Sequence, residues 1–139
     1  MAGLRLAVLW PPPEVARRRG RIEDPNLASL VLLARWRRFE MLLTGDAEAD
    51  AVPLDPGPID LLKVSHHGSE DGGLPSLLHR SRPRLAVISV GDGNPFGHPH
   101  PGTLAALRRA RVGLLRTDRD GTIVIEVGGG AMRAAGTGG

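Results

Sequence analysis

Three apolar runs of strand length in this chain each end in a short polar cluster flanked by glycine. Residues 39–43 (FEMLL) lead into Thr44-Gly45-Asp46. Residues 59–65 (IDLLKVS) lead into His66-His67-Gly68-Ser69, and residues 85–90 (LAVISV) into Gly91-Asp92-Gly93-Asn94 and Gly97-His98-Pro99-His100. Strands that read apolar on both faces, interleaved with helices, belong in an α/β protein rather than a half-exposed sheet. In layered α/β folds, ligands bind in the crevice beyond the carboxyl ends of the strands. The pattern therefore predicts that Asp46, His66, His67, His98 and His100 converge on one edge of the sheet. A glycine beside each polar residue lets the backbone come close to a bound group.

Neutral imidazoles with a carboxylate are the ligand set of a hydrolytic Zn²⁺ or Mn²⁺ site. The chain has no cysteine, which excludes a disulfide framework and a thiolate site. A structural reading of the same residues stands beside this one. An Asp after Thr-Gly is often a turn or a helix cap, and paired histidines are often satisfied within a loop. The His98-Pro99-His100 triplet precedes Pro101-Gly102, with no adjoining carboxylate or third histidine, and is a weak metal signal alone. Asp118 and Asp120 bracket a glycine turn and read as turn chemistry. The arginine clusters at 35–38 and 108–111 read first as solvated faces.

The remaining segments follow from the same reasoning. Residues 4–10 read as a strand stopped by Pro11, Pro12 and Pro13, 14–25 as a polar loop, and 29–34 as a strand. Residues 35–38 read as a turn that returns the chain into 39–43. Residues 47–52 have room for at most two helical turns before the prolines that follow. Helices are expected over 74–79 and 101–111, the latter with proline in its first turn. Segments 113–116 and 122–127 are expected to form a terminal hairpin. The Gly/Ala-rich stretch 128–139 reads as a disordered tail, since it cannot offset its ordering entropy.

At 139 residues and 41% hydrophobic composition, one domain over residues 1–127 is expected. No apolar run approaches the ~20 residues of a membrane span, and the first one is too short for a secretory signal. The formal charge is +3, with Lys63 the lone lysine among 18 basic residues. Such a balance is weak support for a polyanionic partner.

Taken together, the motifs resemble one family: the metallo-β-lactamase-fold domain of ComEC-type DNA-internalisation (competence) proteins. The residues that carry the resemblance are Leu42-Leu43-Thr44-Gly45-Asp46, Leu61-Leu62-Lys63-Val64-Ser65-His66-His67-Gly68-Ser69, Ile88-Ser89-Val90-Gly91 with Asn94, Gly97-His98-Pro99-His100-Pro101, and Arg116-Thr117-Asp118 with Gly121. The segment 26–32 (NLASLVL) extends the likeness. The resemblance implies the second half of an αββα sandwich, a mixed β-sheet with flanking helices. The H-x-H-x-D-H motif that carries the first metal ligands of such hydrolases does not occur in this sequence.

Carried over by motif, the resemblance makes Asp46 the metal-bridging aspartate. It makes His66 the last histidine ligand, with His67 as the other candidate. It places Ser69, Asn94, His98 and Lys63 along the substrate phosphate. The implied chemistry is metal-assisted phosphodiester hydrolysis with one or two Zn²⁺ or Mn²⁺ ions, in which Asp46, His66 and His98 take part and His98 acts as acid or hydrogen-bond donor. The implied partners are DNA, the missing N-terminal half-domain, and the membrane channel of a bacterial inner-membrane protein. The competing reading is a non-catalytic module that self-associates, most simply as a two-fold dimer, and binds nucleic acid or protein. Half of a two-sheet sandwich leaves apolar faces uncovered and strand edges unpaired, which favours self-association.

Overall fold

The strands stand side by side in the order in which the chain makes them. The computed structural model describes residues 3–17 and 24–138. Strand β1 (Arg5–Trp10) is followed by a one-turn helix α1 (Pro13–Ala16). Then come β2 (Val31–Trp36), β3 (Phe39–Leu43), β4 (Leu61–Lys63), helix α2 (Leu74–Ser81), β5 (Leu85–Ile88), helix α3 (Pro101–Arg109) and β6 (Gly113–Arg116). These six strands form one mixed sheet in the order β1-β2-β3-β4-β5-β6. The first three pair antiparallel; β3 through β6 run parallel. Parallel neighbours joined in sequence need crossovers, and a common right hand puts those crossovers on one face. Helices α2 and α3 accordingly share a face with the 44–60 segment.

That face carries the core. Val31, Leu33, Leu42, Leu62, Ala86 and Ile88 from the sheet pack with Leu74, Leu77 and Leu78 of α2 and with Ala106 and Leu107 of α3. All are buried. Burying a side chain of this size contributes about 1.5–3 kcal/mol, so this layer dominates stability. The architecture is the expected α/β class: a mixed sheet flanked by helices.

The register places a second set, apolar except for Lys63, on the opposite face. Val8, Leu32, Leu43, Lys63 and Val87 form one row across five strands, and Leu6, Ala34, Met41, Leu61 and Leu85 form the next. Helix α4 (Thr117–Asp120), β7 (Ile123–Gly128) and β8 (Ala131–Gly136) complete the chain. The β7–β8 hairpin covers part of this face, with Ile123 and Ile125 across a groove of about 660 Å³ from Met41, Leu43 and Val87. Leu6 and Val8, on the edge strand, stay 58% and 59% exposed.

Several expectations are corrected here. Segments 113–116 and 122–127 do not form a hairpin. Strand β6 joins the sheet through β5, with Ala86 opposite Leu114, and Thr117–Asp120 is a helical turn. The partner of β7 is β8, within the segment expected to be disordered. Gly129 and Gly130, both at positive φ (56° and 79°), form the two-residue turn between them. That geometry matches the right-handed twist of paired strands, and Gly-Gly supplies it without steric cost. Residues 47–52 make turns rather than helix, and β4 is shorter than the apolar run containing it. Within the expected polar loop 14–25, residues 14–16 belong to the helical turn α1 and 18–23 lie outside the described residues. No helix among the described residues is long and apolar enough to cross a membrane.

The α4 turn is tied down by a nearly buried ion pair. The Arg116 Nε and Nη2 donate to Asp118 Oδ1 and Oδ2 at 3.0 and 2.5 Å. Both side chains are close to nine-tenths buried. The Arg116 hydrogen bond holds the Asp118 carboxyl below its ordinary value. Because the folded pKa lies below the unfolded one, the pair stabilises fully above the unfolded pKa and fades as pH falls through the folded value. Asp118→Asn is expected to lose about 2 kcal/mol near neutral pH. The difference from wild type should shrink below about pH 4, near the carboxylate reference value. Urea melts at neutral and acid pH check this; a penalty independent of pH would refute it.

Candidate active site at the carboxyl edge of the sheet

The three polar clusters meet where β3, β4 and β5 end. The buried Thr44 donates from Oγ1 to the Lys63 carbonyl (2.7 Å), which fixes the end of β3 to β4. Gly45, at φ 55°, turns the chain away and accepts the His66 N–H at its carbonyl (3.0 Å). The Asp46 N–H donates to Ser29 Oγ (3.2 Å), and the Asp46 side chain is left 42% exposed at the edge.

His66, His67 and Gly68 follow one another at positive φ, 46°, 55° and 83°. A left-handed residue other than glycine costs about 1–2 kcal/mol, and persists only where its surroundings over-determine it. Here the surroundings do so. The Gly68 N–H donates to Ser65 O (2.8 Å), Ser69 N–H to His66 O (3.0 Å), and His100 N–H to Gly68 O (2.7 Å). A Cβ on Gly68 would lie 2.8 Å from the Pro99 Cβ, so the HHGS and GHPHP segments press directly on each other.

The side chains are oriented with equal definition. His67 Nδ1 donates to the Ser89 carbonyl (2.7 Å), which makes Nε2 the acceptor. That Nε2 lies 4.0 Å from Asp46 Oδ1, beyond hydrogen-bond distance. His66 Nδ1 donates to Glu48 Oε1 (2.9 Å), and Ser69 Oγ donates to the same oxygen. The His98 ring lies 5.8 Å from that of His66, and its Nδ1 is buried without a partner among the described residues. Burial, then the neighbouring His66 and His67, push the His98 pKa down, which favours the neutral ring at pH 7.

The other expected residues are placed as follows. Ser69 is buried and faces Glu48 rather than solvent. Asn94 gives both polar atoms of its side chain to its own loop. Lys63 is half-buried and donates to the Val64 carbonyl (3.0 Å); burial lowers its pKa, and the Asp46 charge opposes that shift. His100 caps α3, its Nδ1 accepting from Gly102 N–H (3.2 Å). The structure thus brings Asp46, His66, His67 and His98 together and gives His100 a capping role.

Two residues of this edge were not singled out from the sequence. Glu48 orients His66 and Ser69, and buried Asp71 accepts from the N–H groups of Ala49 (2.8 Å), Asp50 (3.2 Å) and Gly73 (2.9 Å). Asp71 thereby sets the loop that carries Glu48. Their signal was the alternation of acids at 46, 48 and 50, and the acidic pair closing the His-His-Gly-Ser segment.

The fit to a metal ion is partial. A metal-binding histidine normally donates its other ring N–H to a carbonyl or carboxylate, as His67 and His66 do here. The Asp46–His67 separation suits two ligands of one ion. Among the described residues, however, no group of three or more His, Asp or Glu side chains is close enough to hold an ion. Three protein ligands are the usual minimum of a catalytic site. The residues fit as part of a centre, not as the whole of one.

An α/β protein with an oriented imidazole–carboxylate cluster beyond its parallel strands is the class that fold and site define. No family model matches the chain. Among known proteins, it is 37% identical over 103 residues to ComE operon protein 3 of Bacillus subtilis, covering 70% of this chain and 13% of that protein. It is 35% identical over 124 residues to Recombination protein 2 of Haemophilus influenzae, covering 87% and 15% respectively. It is 31% identical over 117 residues to Competence protein ComA of Neisseria gonorrhoeae, covering 80% and 17%. The chain is related to competence proteins of the ComEC type, and spans 13–17% of the length of these relatives.

Proposed function

We propose that this segment contributes half of a divalent-metal centre, Zn²⁺ or Mn²⁺, that hydrolyses DNA phosphodiesters in a protein of the competence type. The observation that carries this reading is the pairing of Asp46 Oδ1 with the His67 Nε2 acceptor, whose ring is fixed by the Ser89 carbonyl. On this reading His67, rather than His66, stands beside Asp46 as the ligand. A metal held there would polarise the phosphodiester and activate water. The chain's own residues orient and move protons. Glu48 holds the His66 ring by its Nδ1, and Lys63 places a positive charge within the field of Asp46. The neutral His98 has one donor and one acceptor nitrogen, and as a donor it would stabilise charge developing on the phosphoryl group. The remaining ligands would come from an N-terminal half-domain, which carries H-x-H-x-D-H in the family this chain resembles. A second reading, a non-catalytic module that self-associates and binds nucleic acid or protein, rests on the exposed Leu6 and Val8 of the open sheet face.

Calorimetric metal titration beside a nuclease assay tests the first reading. The 139-residue chain is expected to bind Zn²⁺ or Mn²⁺ weakly and to cleave DNA little. A longer chain that supplies the H-x-H-x-D-H segment should bind tightly and show chelator-sensitive cleavage, which Asp46→Ala abolishes. The same substitution should change folding stability by no more than about 0.5 kcal/mol, as expected for an exposed carboxylate. Robust cleavage by the 139-residue chain alone would overturn the site, and a loss of several kcal/mol would make Asp46 a structural cap.

A further inference from the structure

The chain has four aromatic residues, two Trp and two Phe. Trp10, Trp36 and Phe39 are half-buried, whereas Phe96 is 77% exposed. Trp10 has a partner in the Leu27 carbonyl, and Trp36 lies under the Arg37 guanidinium. The ring of Phe96 stacks on His98 at 6.0 Å and 22°. His98 in turn stands against His66, so Phe96 forms the outer rim of the imidazole cluster.

Chance exposure of a floppy loop does not describe this residue, because its loop is held from within. Asn94 Nδ2 donates to the carbonyls of Gly91 (3.1 Å) and His98 (2.7 Å), while Asn94 Oδ1 accepts from the N–H groups of Phe96 (3.2 Å) and His98 (3.1 Å). Gly93 and Gly97 flank it at positive φ, 62° and 71°, with nothing near either Cα that a side chain would meet. Both glycines therefore serve the bend of the loop, which carries a large apolar ring into water with one face on an imidazole. An ordered, exposed aromatic beside a polar cluster is the arrangement by which proteins take an unstacked base.

We propose that Phe96, backed by His98, is a stacking platform for a nucleobase of a single-stranded nucleic acid whose backbone lies along Asp46 and His67. The proposal rests on the nucleic-acid reading of that cluster and adds the form of the strand. A duplex keeps its bases inside the stack, where Phe96 cannot reach them. The loop is already ordered before binding, so little entropy is lost when the base arrives.

The test is fluorescence anisotropy in chelator, with labelled oligothymidine, an abasic strand of the same length, and duplex DNA as probes. Proteins are the 139-residue chain and its Phe96→Ala and Phe96→Trp variants. Stacking on an aromatic side chain contributes about 1–3 kcal/mol per base, so Phe96→Ala should weaken oligothymidine binding by about tenfold. Phe96→Trp should restore it, and the abasic strand should bind all three proteins alike. Unchanged oligothymidine binding, equal weakening for both strands, tighter binding of duplex, or no binding by wild type would each overturn the platform. Metal-dependent cleavage of the abasic strand by the longer chain reads the hydrolytic centre separately. Cleavage there with no effect of Phe96→Ala on binding rejects the platform alone. Base-dependent binding without cleavage supports the platform and rejects hydrolysis.

Discussion

Asp71→Ala should lower folding stability by about 3 kcal/mol, because each buried donor left without a partner costs about 1–3 kcal/mol. Asp71 is 8% exposed, and its carboxylate accepts three backbone N–H groups, from Ala49, Asp50 and Gly73, with the Ser65 hydroxyl at 3.4 Å. Alanine removes the acceptor and leaves those donors facing apolar surroundings; water reaching the exposed Asp50 keeps the loss from being larger. The damage should extend to the site. The loop set by Asp71 carries Glu48, and Glu48 fixes the His66 ring. Asp71→Asn, which keeps one acceptor oxygen, should lose about half as much. Urea denaturation of the three proteins measures both effects, and a loss under about 1 kcal/mol for alanine would mean that the 47–52 loop is held by other contacts.

Gly68→Ala is expected to destabilise by a similar amount, about 3 kcal/mol, through two causes that can be separated. A left-handed alanine costs about 1–2 kcal/mol, and forcing a methyl into a filled space costs about 1–3 kcal/mol. The new Cβ would stand 2.8 Å from Pro99 Cβ and 3.3 Å from Ile88 Cγ2. Gly57 is the control: its φ is 73°, and no atom lies within 4 Å of a Cβ built there. Gly57→Ala should therefore show the backbone cost alone, about 1 kcal/mol. If denaturant melts give the two variants the same stability, the HHGS loop can withdraw from Pro99 and the contact is not a constraint.

How much of this is legible in the sequence depends on which interactions are local. The apolar runs 39–43, 59–65 and 85–90 each hold a strand, shorter than the run in the last two, and their polar ends share an edge, because sheet order and crossover direction follow from the alternation of strands and helices. The expected hairpin of 113–116 with 122–127 fails for a definite reason. Segment 113–116 is as good a partner for an antiparallel neighbour as for β5, and only the crossover through α3 decides between them. Strand β8 was hidden because its Gly/Ala composition resembles a tail; the Gly129-Gly130 pair was the turn signal that composition obscured. At the site, Asp46 and the histidines stood out by residue type. Glu48 and Asp71 act at sequence separations of 18 to 22 residues, which no local pattern reveals. The orientation of the His67 ring likewise depends on the Ser89 carbonyl, 22 residues away just past the end of β5.

The left-handed backbone of His66 and His67 narrows what can ever replace them. Glycine adopts such angles freely and asparagine more readily than most residues, yet neither carries an imidazole. Every replacement that relaxes the main chain therefore removes the ring, and every replacement that keeps a comparable side chain retains the strain. Selection for thermal stability and selection for chemistry pull these two positions in opposite directions, the conflict expected where activity depends on a strained site. A stabilised descendant of this protein would change first at 66 and 67, with its strands and core still intact.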